Sequence, residues 1–568
     1  MDRRVDKGNN EMSMRRRALD FYSAMSILPL AILILVFFLP LYHNLKGAFL
    51  VEGSLSKRLV LESFSSGYNR KILLFTIRQA LLSALFSVLV ALPGTYLLSN
   101  YRFRTRRLML SIANLCFVLP SILVVLGFVI FYGNSGILNR LLMKLSGSRE
   151  PPLKILYSFK AILLAHVFLN FPVALSLITD TWSHLSRNQE NAALTMGAGS
   201  VRVFLTVTLP RILPTIFSAL LLVFLFCFTS FSIILVLGGG PEFTTIEVEI
   251  YRLNNIVMSP QKAAALSVYS FTVNFLCLAI YIFFSSNLRN REKVRISRLK
   301  SVTSKRTYLA IGLYTAFMLL FFITPLASII WRSFYSTSPR MGIGYTTRVY
   351  RELLGLSASL ALASTPKALS NSLVIAALAA TFSTIFSLAL ALWISKSRNG
   401  PLFELVAMLP MAISSVTLGL GYSLLRSSLP RSGNGTGLFL VLLAHIVITL
   451  PFSIRTLLPV LRSQSGNQLR AAYTLGAGKA RACFTVEIPS IASTILKAFI
   501  FSFALSIGEV NATLTLAEGK VSTLPLQLYR LINSYNYQGA CAVGTLLVLM
   551  TLLVFVLCEY LFQESSEG

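Results

Sequence analysis

Long apolar runs, nearly free of charge, alternate along this chain with short polar and basic segments. Six runs fall before residue 290, at 22–42, 79–101, 109–132, 161–179, 212–237 and 263–287. Six more follow, at 307–331, 368–395, 405–425, 432–454, 490–510 and 539–558. Most exceed the ~20 residues that a ~30 Å hydrocarbon core requires at 1.5 Å rise per residue. Each stays apolar throughout instead of alternating in polarity over ~10 residues, which excludes a membrane β-barrel. The pattern predicts an all-α integral membrane protein of about 12 transmembrane helices. The run at 490–510 is interrupted by Lys497, whose side chain is expected to snorkel to the near interface.

The pattern is also duplicated. Leu163–Ile216 and Leu442–Ile495 align without a gap, 279 residues apart, with 21 of 54 positions identical. A repeat of this size is a duplicated domain, since solenoid periods are about 20–50 residues. Farther on, Tyr251-Arg252-Leu253 matches Tyr529-Arg530-Leu531 at an offset of 278. The reading is a basic tail (1–21), a six-helix unit (22–287), a basic linker (288–306), a second six-helix unit (307–558) and a short tail (559–568). Six is even, so both units enter the membrane in the same sense, as parallel repeats about an axis along the membrane normal. That geometry places a pathway between them.

Composition agrees with a membrane protein: 55% of residues are apolar and 13% charged, with a mean hydropathy of +0.71. The net charge of +30 would suggest nucleic acid in a soluble protein. Here the basic residues crowd the membrane edges, as in Arg15–Arg17, Arg102–Arg107 and Arg289–Arg306, where orientation and anionic lipid account for them. No nucleic-acid partner is expected, and both chain ends and both duplicated loops are placed in the cytoplasm. The first run is too long for a signal-peptide core and lacks a small-x-small cleavage site. The six cysteines show no CxxC spacing, and five lie in apolar runs, which reads as core packing. No metal site and no cofactor are expected.

The duplicated loops, 188–211 and 467–490, read as a short helix, a Gly-Ala-Gly break, a second amphipathic helix and a Pro opening the next span. Glycine supplies the freedom a turn needs, and proline is tolerated in a first helical turn. Val201, Phe204, Leu205 and Leu209 fall on one face at helical spacing. The pattern Ala-Ala-x-x-x-Gly, with Pro thirteen residues later, resembles the EAA loop of type I ABC-importer permeases. That resemblance implies that Asn191, Ala192, Ala193, Gly197, Ala198, Gly199, Leu209 and Pro210 form one ATPase-coupling loop. Arg470, Ala471, Ala472, Gly476, Ala477, Gly478, Ile488 and Pro489 form the other. The family's usual Glu, six residues before the Gly, is replaced by Asn191 and Arg470, while Glu190 lies one residue early. No phosphate-cradling Gly-x-x-x-x-Gly-Lys-Ser/Thr occurs: Gly476-Ala-Gly-Lys479-Ala480 lacks the first Gly and the hydroxyl. A separate ATPase, in two copies for two loops, is implied.

Cys227–Phe231, Leu235-Val-Leu-Gly-Gly-Gly-Pro241, Thr244–Glu247 and Leu505-Ser-Ile-Gly-Glu509 resemble the fused permeases for thiamine and for ferric iron, most closely those for thiamine. The resemblance implies a bacterial inner-membrane permease fed by a periplasmic binding protein, with Ser230 and Glu509 as candidate residues of the substrate path. Glu509 could meet a cationic cargo or pair with a loop arginine at the headgroup level. His166 and His445 occupy matching places and read as helix–helix hydrogen-bonding groups. The alternatives are a ferric-iron permease and, more remotely, an ion-coupled secondary transporter. The latter needs intramembrane carboxylates, which these runs scarcely offer.

Overall fold

The computed structural model describes residues 2–567 except 52–53, 186–187, 290–298, 338–341, 356–361, 398, 429–434, 465–466 and 517–520. Most of the basic linker, including Arg291, Lys293, Arg295 and Arg298, lies outside the described residues. So do the side chains of the N-terminal tail through Asp20 and of the C-terminal tail from Cys558. Ten described helices are long and apolar enough to cross a membrane, and two bent helix pairs raise the number to as many as twelve.

Spans 1, 2 and 4 are Phe21–Phe49, Gly67–Asn100 and Phe159–Ser183. Span 3 is broken at Leu119 and Pro120 into Arg106–Val118 and Ser121–Tyr132. Spans 5 and 6 are Leu209–Phe228 and Pro260–Phe284. In the second half, spans 7, 8 and 10 are Lys305–Phe334, Thr365–Lys396 and Thr436–Ser463. Span 9 bends by 84° between Gly400–Ala412 and Ser415–Ser428, and spans 11 and 12 are Ala492–Ile507 and Tyr537–Leu557. The breaks in spans 3 and 9 follow from Pro120 and Pro410, which cannot continue a helical ladder.

Packing within each half depends on small residues. On span 2, Ala80, Ser83, Ala84, Ser87 and Ala91 are buried at helical spacing, while Leu74, Leu81, Leu85 and Leu89 are exposed toward lipid. Span 8 repeats the stripe with Ala376, Ala380, Ser383, Ser387 and Ala391. With no hydrophobic drive between helices in lipid, such stripes allow the close approach that van der Waals packing needs. Ser87 and Ser387 bond carbonyls at Ser83 and Leu450, so neither hydroxyl is stranded.

The halves are not closed bodies. Tyr22, Leu33, Val36, Phe37 and Leu41 of span 1 belong to the core built by spans 8–11. Asn44 donates to the Thr417 carbonyl at 2.8 Å, and Tyr422 donates to the Val36 carbonyl at 2.7 Å. Reciprocally, Met318, Phe322 and Ile329 of span 7 complete the first half's core. Phe322 lies 4.6 Å from Phe168 and 5.1 Å from Phe171, ring centre to ring centre, and Tyr314 donates to the Val90 carbonyl at 3.0 Å. The first helix of each half therefore reaches into the core of the other, while span 1 also packs on span 6 and span 7 on span 12 of its own half.

Candidate functional site

Each duplicated loop starts with a two-turn helix, Asn188–Thr195 or Asn467–Thr474. The Gly197 amide bonds the Leu194 carbonyl (3.0 Å) and the Ala198 amide bonds the Ala193 carbonyl (3.1 Å). Gly476 to Tyr473 and Ala477 to Ala472 repeat this at 3.1 and 3.0 Å. This is the Schellman termination, which requires a left-handed residue, and Gly197 and Gly476 have φ of +85° and +83°. An added Cβ would meet nothing within 4 Å at either glycine, so backbone conformation alone demands them. Gly199 and Gly478 then start one-turn helices, Ser200–Val203 and Lys479–Ala482. Pro210 and Pro489 follow in the first turns of the next helices, beside Leu209 and Ile488.

The expected single apolar face is split. Val201 and Leu205 are exposed, whereas Phe204 stacks on Trp182 (centroids 5.9 Å) and Leu209 is half-buried. The reason is a π-helical turn over Phe204–Thr208, repeated over Cys483–Glu487, which shifts the residues that follow around the axis. Each loop thus offers outward apolar side chains at matching places: Met196 and Leu475, both 87% exposed, then Leu205 and Phe484. Asn191 and Arg470 are exposed as well.

The carboxylate missing from its expected place is present elsewhere. In the first loop Glu190 accepts a 2.6 Å bond from Thr208, tying the docking helix to the root of span 5. In the second half Leu469 replaces Glu190, and Glu487 occupies the place of Thr208. Glu487 accepts from Tyr22 and from Lys396, each at 2.7 Å, while the Lys396 ammonium lies 3.5 Å from the centre of the Tyr22 ring. Sequence reasoning missed Tyr22, Lys396 and Glu487. The available signal was Glu487 itself, an acid breaking an otherwise apolar approach to a span.

Matched residues meet where the two halves join. Ser232 donates to Asn511, its counterpart 279 residues on, and the matched Tyr251 and Tyr529 side chains neighbour one another. Self-pairing of repeats marks a pseudo-twofold axis, which these contacts close at the end of spans 5 and 11 remote from the docking loops. Ser230 and Glu509 are counterparts beside this closure. Among the described residues, the partners of Glu509 are not loop arginines. It accepts from the amides of Asn511 and Ala512, at 2.8 and 3.1 Å, and so caps the helix Asn511–Leu516. Its other oxygen accepts from Ser415 at 3.5 Å. Adjacent Ser414 donates to Glu247, fully buried in the helix Ile246–Asn255 and also bonded by Ser270 at 2.5 Å. The bend of span 9 therefore holds one carboxylate from each half. Glu247 was missed because its neighbourhood reads as an exterior loop. Flanking Ile246 and Val248 were the clue. Two residues on, Glu249 grips Arg252 at 2.6 and 2.8 Å, and this bond raises the Arg252 pKa above its ordinary value.

His166 bonds Ser83 at 3.0 Å, and His445 bonds Ser506 and Thr513 at 2.8 and 3.1 Å, each within its own half. Among the described residues no three His, Cys, Asp or Glu side chains gather as a metal site would need. Lys497 lines a cavity of about 610 Å³ between the halves.

A duplicated six-span membrane protein with paired, glycine-capped loops on one side defines a transporter permease. The chain belongs to the family described as binding-protein-dependent transport system inner membrane component, whose model matches residues 83–290 and 401–565. It is 26% identical over 514 residues to the thiamine transport system permease protein ThiP of Escherichia coli K12, covering 88% of this chain and 90% of that one. ThiP of Brucella abortus strain 2308 is 26% identical over 545 residues, covering 93% and 96%. The ferric transport system permease protein FbpB of Actinobacillus pleuropneumoniae is 22% identical over 544 residues, covering 94% of this chain and 78% of its own. A solved bacterial ABC transporter involved in alginate import aligns over 50% of this chain and 100% of its own, at 21% identity and a TM-score of 0.40.

Proposed function

We propose that this chain is the membrane-spanning subunit of an ABC importer for thiamine or its phosphates. A separate ATPase, in two copies, docks on the two loops, whose exposed Met196 and Leu475 enter its surface. A periplasmic binding protein delivers cargo at the opposite face. Both termini lie in the cytoplasm, and the membrane is the bacterial inner membrane. ATP binding draws the docking loops together, rotates spans 5 and 11 about the axis and parts the Ser232–Asn511 and Tyr251–Tyr529 contacts, beside which Ser230 and Glu509 line the path. Hydrolysis resets the closure. The chain performs no covalent chemistry of its own, and its nearest phosphate-loop look-alike, Gly476–Ala480, forms part of a docking loop instead.

The observation that carries this reading is the pair of Schellman-terminated loops at matched positions, each feeding a span that ends at the axis. Cargo identity is supported by relatives named for thiamine transport that align over most of this chain. The test is ATPase stimulation in lipid, with the chain, its ATPase and its binding protein together. Thiamine compounds are expected to stimulate, and ferric iron is not. Stimulation by ferric iron alone would keep the importer and replace the cargo. An ATPase that never associates would end the docking assignment.

A further inference from the structure

Among the described residues, three that are not glycine take a left-handed backbone: Tyr157, Met258 and Tyr535, with φ of +57°, +55° and +56°. All three are large and exposed, and all lie on the face opposite the docking loops, in the segments that lead into spans 4, 6 and 12. Met258 and Tyr535 are also counterparts. Gln261 and Gln538, Ala263 and Ala540, and Ala265 and Ala542 align at an offset of 277, which sets Met258 opposite Tyr535. The backbone repeats the match: the Ala263 amide bonds the Ser259 carbonyl at 3.2 Å, and the Ala540 amide bonds the Asn536 carbonyl at 2.9 Å. Each left-handed residue therefore stands immediately before the first turn of its span.

A left-handed backbone is unfavourable for a residue bearing a Cβ, and glycine removes that strain. This chain uses glycine at the docking tips, where Gly197 and Gly476 face open space. At the matched outer tips it keeps Met and Tyr, although Met258 is 75% and Tyr535 77% exposed, so internal packing rewards neither side chain much. The Tyr535 ring meets Tyr537 edge-on at 6.2 Å, and Tyr537 also neighbours Tyr157. A strained position that holds an outward apolar side chain, repeated in both halves, suits contact with another molecule. Location selects the kind of molecule. Met258 follows Tyr251 by seven residues and Tyr535 follows Tyr529 by six, so each tip lies within about 20 Å of the axis. Lipid surrounds the rim of a bundle, whereas a pair of tips about its axis fits a protein with two lobes, one for each half.

We propose that Met258 and Tyr535 are paired contact points for the cargo-delivering binding protein, each entering an apolar socket on one of its two lobes. Tyr157 and Tyr537 widen the contact at Tyr535 into an aromatic patch. The assignment rests on the delivery reading given above and names the residues that carry it. The family to which the chain belongs is itself described as binding-protein-dependent.

The test measures binding of the purified thiamine-binding protein of the same organism, loaded with thiamine, to the complete transporter in phosphatidylcholine nanodiscs. The variant is Met258→Gly with Tyr535→Gly, which relieves both backbones. Affinity should fall about tenfold, the loss of roughly one strong contact point. Thermal stability of the chain should stay level or rise, since glycine is at ease in this conformation. A structural role would move stability the other way. Met258→Asn with Tyr535→Asn also tolerates the backbone and should weaken binding as much, which separates lost contact from added flexibility. Undiminished affinity in both variants overturns the assignment and leaves delivery standing. Equal affinity with lowered stability would make the tips anchors in the lipid interface, and likewise overturns it. If the native transporter captures no binding protein, the delivery reading falls and the paired tips fall with it.

Discussion

The two docking loops share a backbone to within a few degrees at Gly197 and Gly476, yet their roots are held by different chemistry. The first root is a local bond, Glu190 with Thr208, eighteen residues apart in sequence. The second is a cluster drawn from three distant helices, with Tyr22 separated from Glu487 by 465 residues. The two loops keep the same glycine-capped turn while the manner of their attachment differs. The lesson is that the shape of the loop tip is kept, while its anchoring can be rebuilt from whichever polar groups a helix end supplies.

The largest expected effect tests whether the halves must separate at all. Ser232→Cys with Asn511→Cys, oxidised across the axis, should abolish transport, and reductant should restore it. Full transport in the oxidised pair would show that the axis contact need not open. Next come the tips. Gly197→Val or Gly476→Val forces a β-branched residue into a left-handed conformation, costing ~1–2 kcal/mol or more at the site. Either should reduce cargo-stimulated ATP hydrolysis about tenfold, while Asn at the same position retains much of it. A large loss at one loop with none at the other would break the equivalence of the tips.

The anchors should respond unequally. Glu487→Gln leaves the partly buried Lys396 without its carboxylate and should lower stability by ~1–3 kcal/mol. Glu190→Gln keeps an acceptor for Thr208 and should cost less than ~1 kcal/mol. Thermal unfolding of the purified variants measures both, and equal shifts would refute the asymmetry. The smallest effect belongs to Tyr22→Phe, which removes one hydroxyl bond to Glu487 and keeps the ring under Lys396. A loss of ~0.5–1.5 kcal/mol is expected, below that of Glu487→Gln.

Much of this was legible before any coordinates. Apolar runs of membrane length, the 279-residue offset and the Gly-Ala-Gly breaks all have local causes, and a sequence states local causes directly. Span 3 was read as one helix because Pro120 sits between two strongly apolar stretches, and hydropathy is blind to a bend. The split face after Gly199 escaped because 3.6-residue periodicity has no place for a π-helical turn. Glu509 invited a charged partner, whereas backbone amides two and three residues on satisfy it. The cavity that Lys497 lines was not legible, because it forms only when spans 10 and 11 meet spans 3 and 4. The reach of each first helix into the other half left no trace in either unit, since spans 1 and 7 are apolar whichever neighbour they face.

That reach also sets a timetable for biosynthesis. Val36 finds its partner Tyr422 only after 386 further residues have been made, which at ~5–20 residues per second takes about 20–80 s. Throughout that interval the nascent first helix stands in the bilayer with Asn44 and Tyr22 unmatched, a state in which polar groups are costly. Asn44 meets Thr417 only when span 9 arrives, and Tyr22 waits longer still, for Glu487 at the root of span 11. A cut between spans 1 and 2 would leave a helix whose contacts are divided between the halves, so neither core is complete without the other.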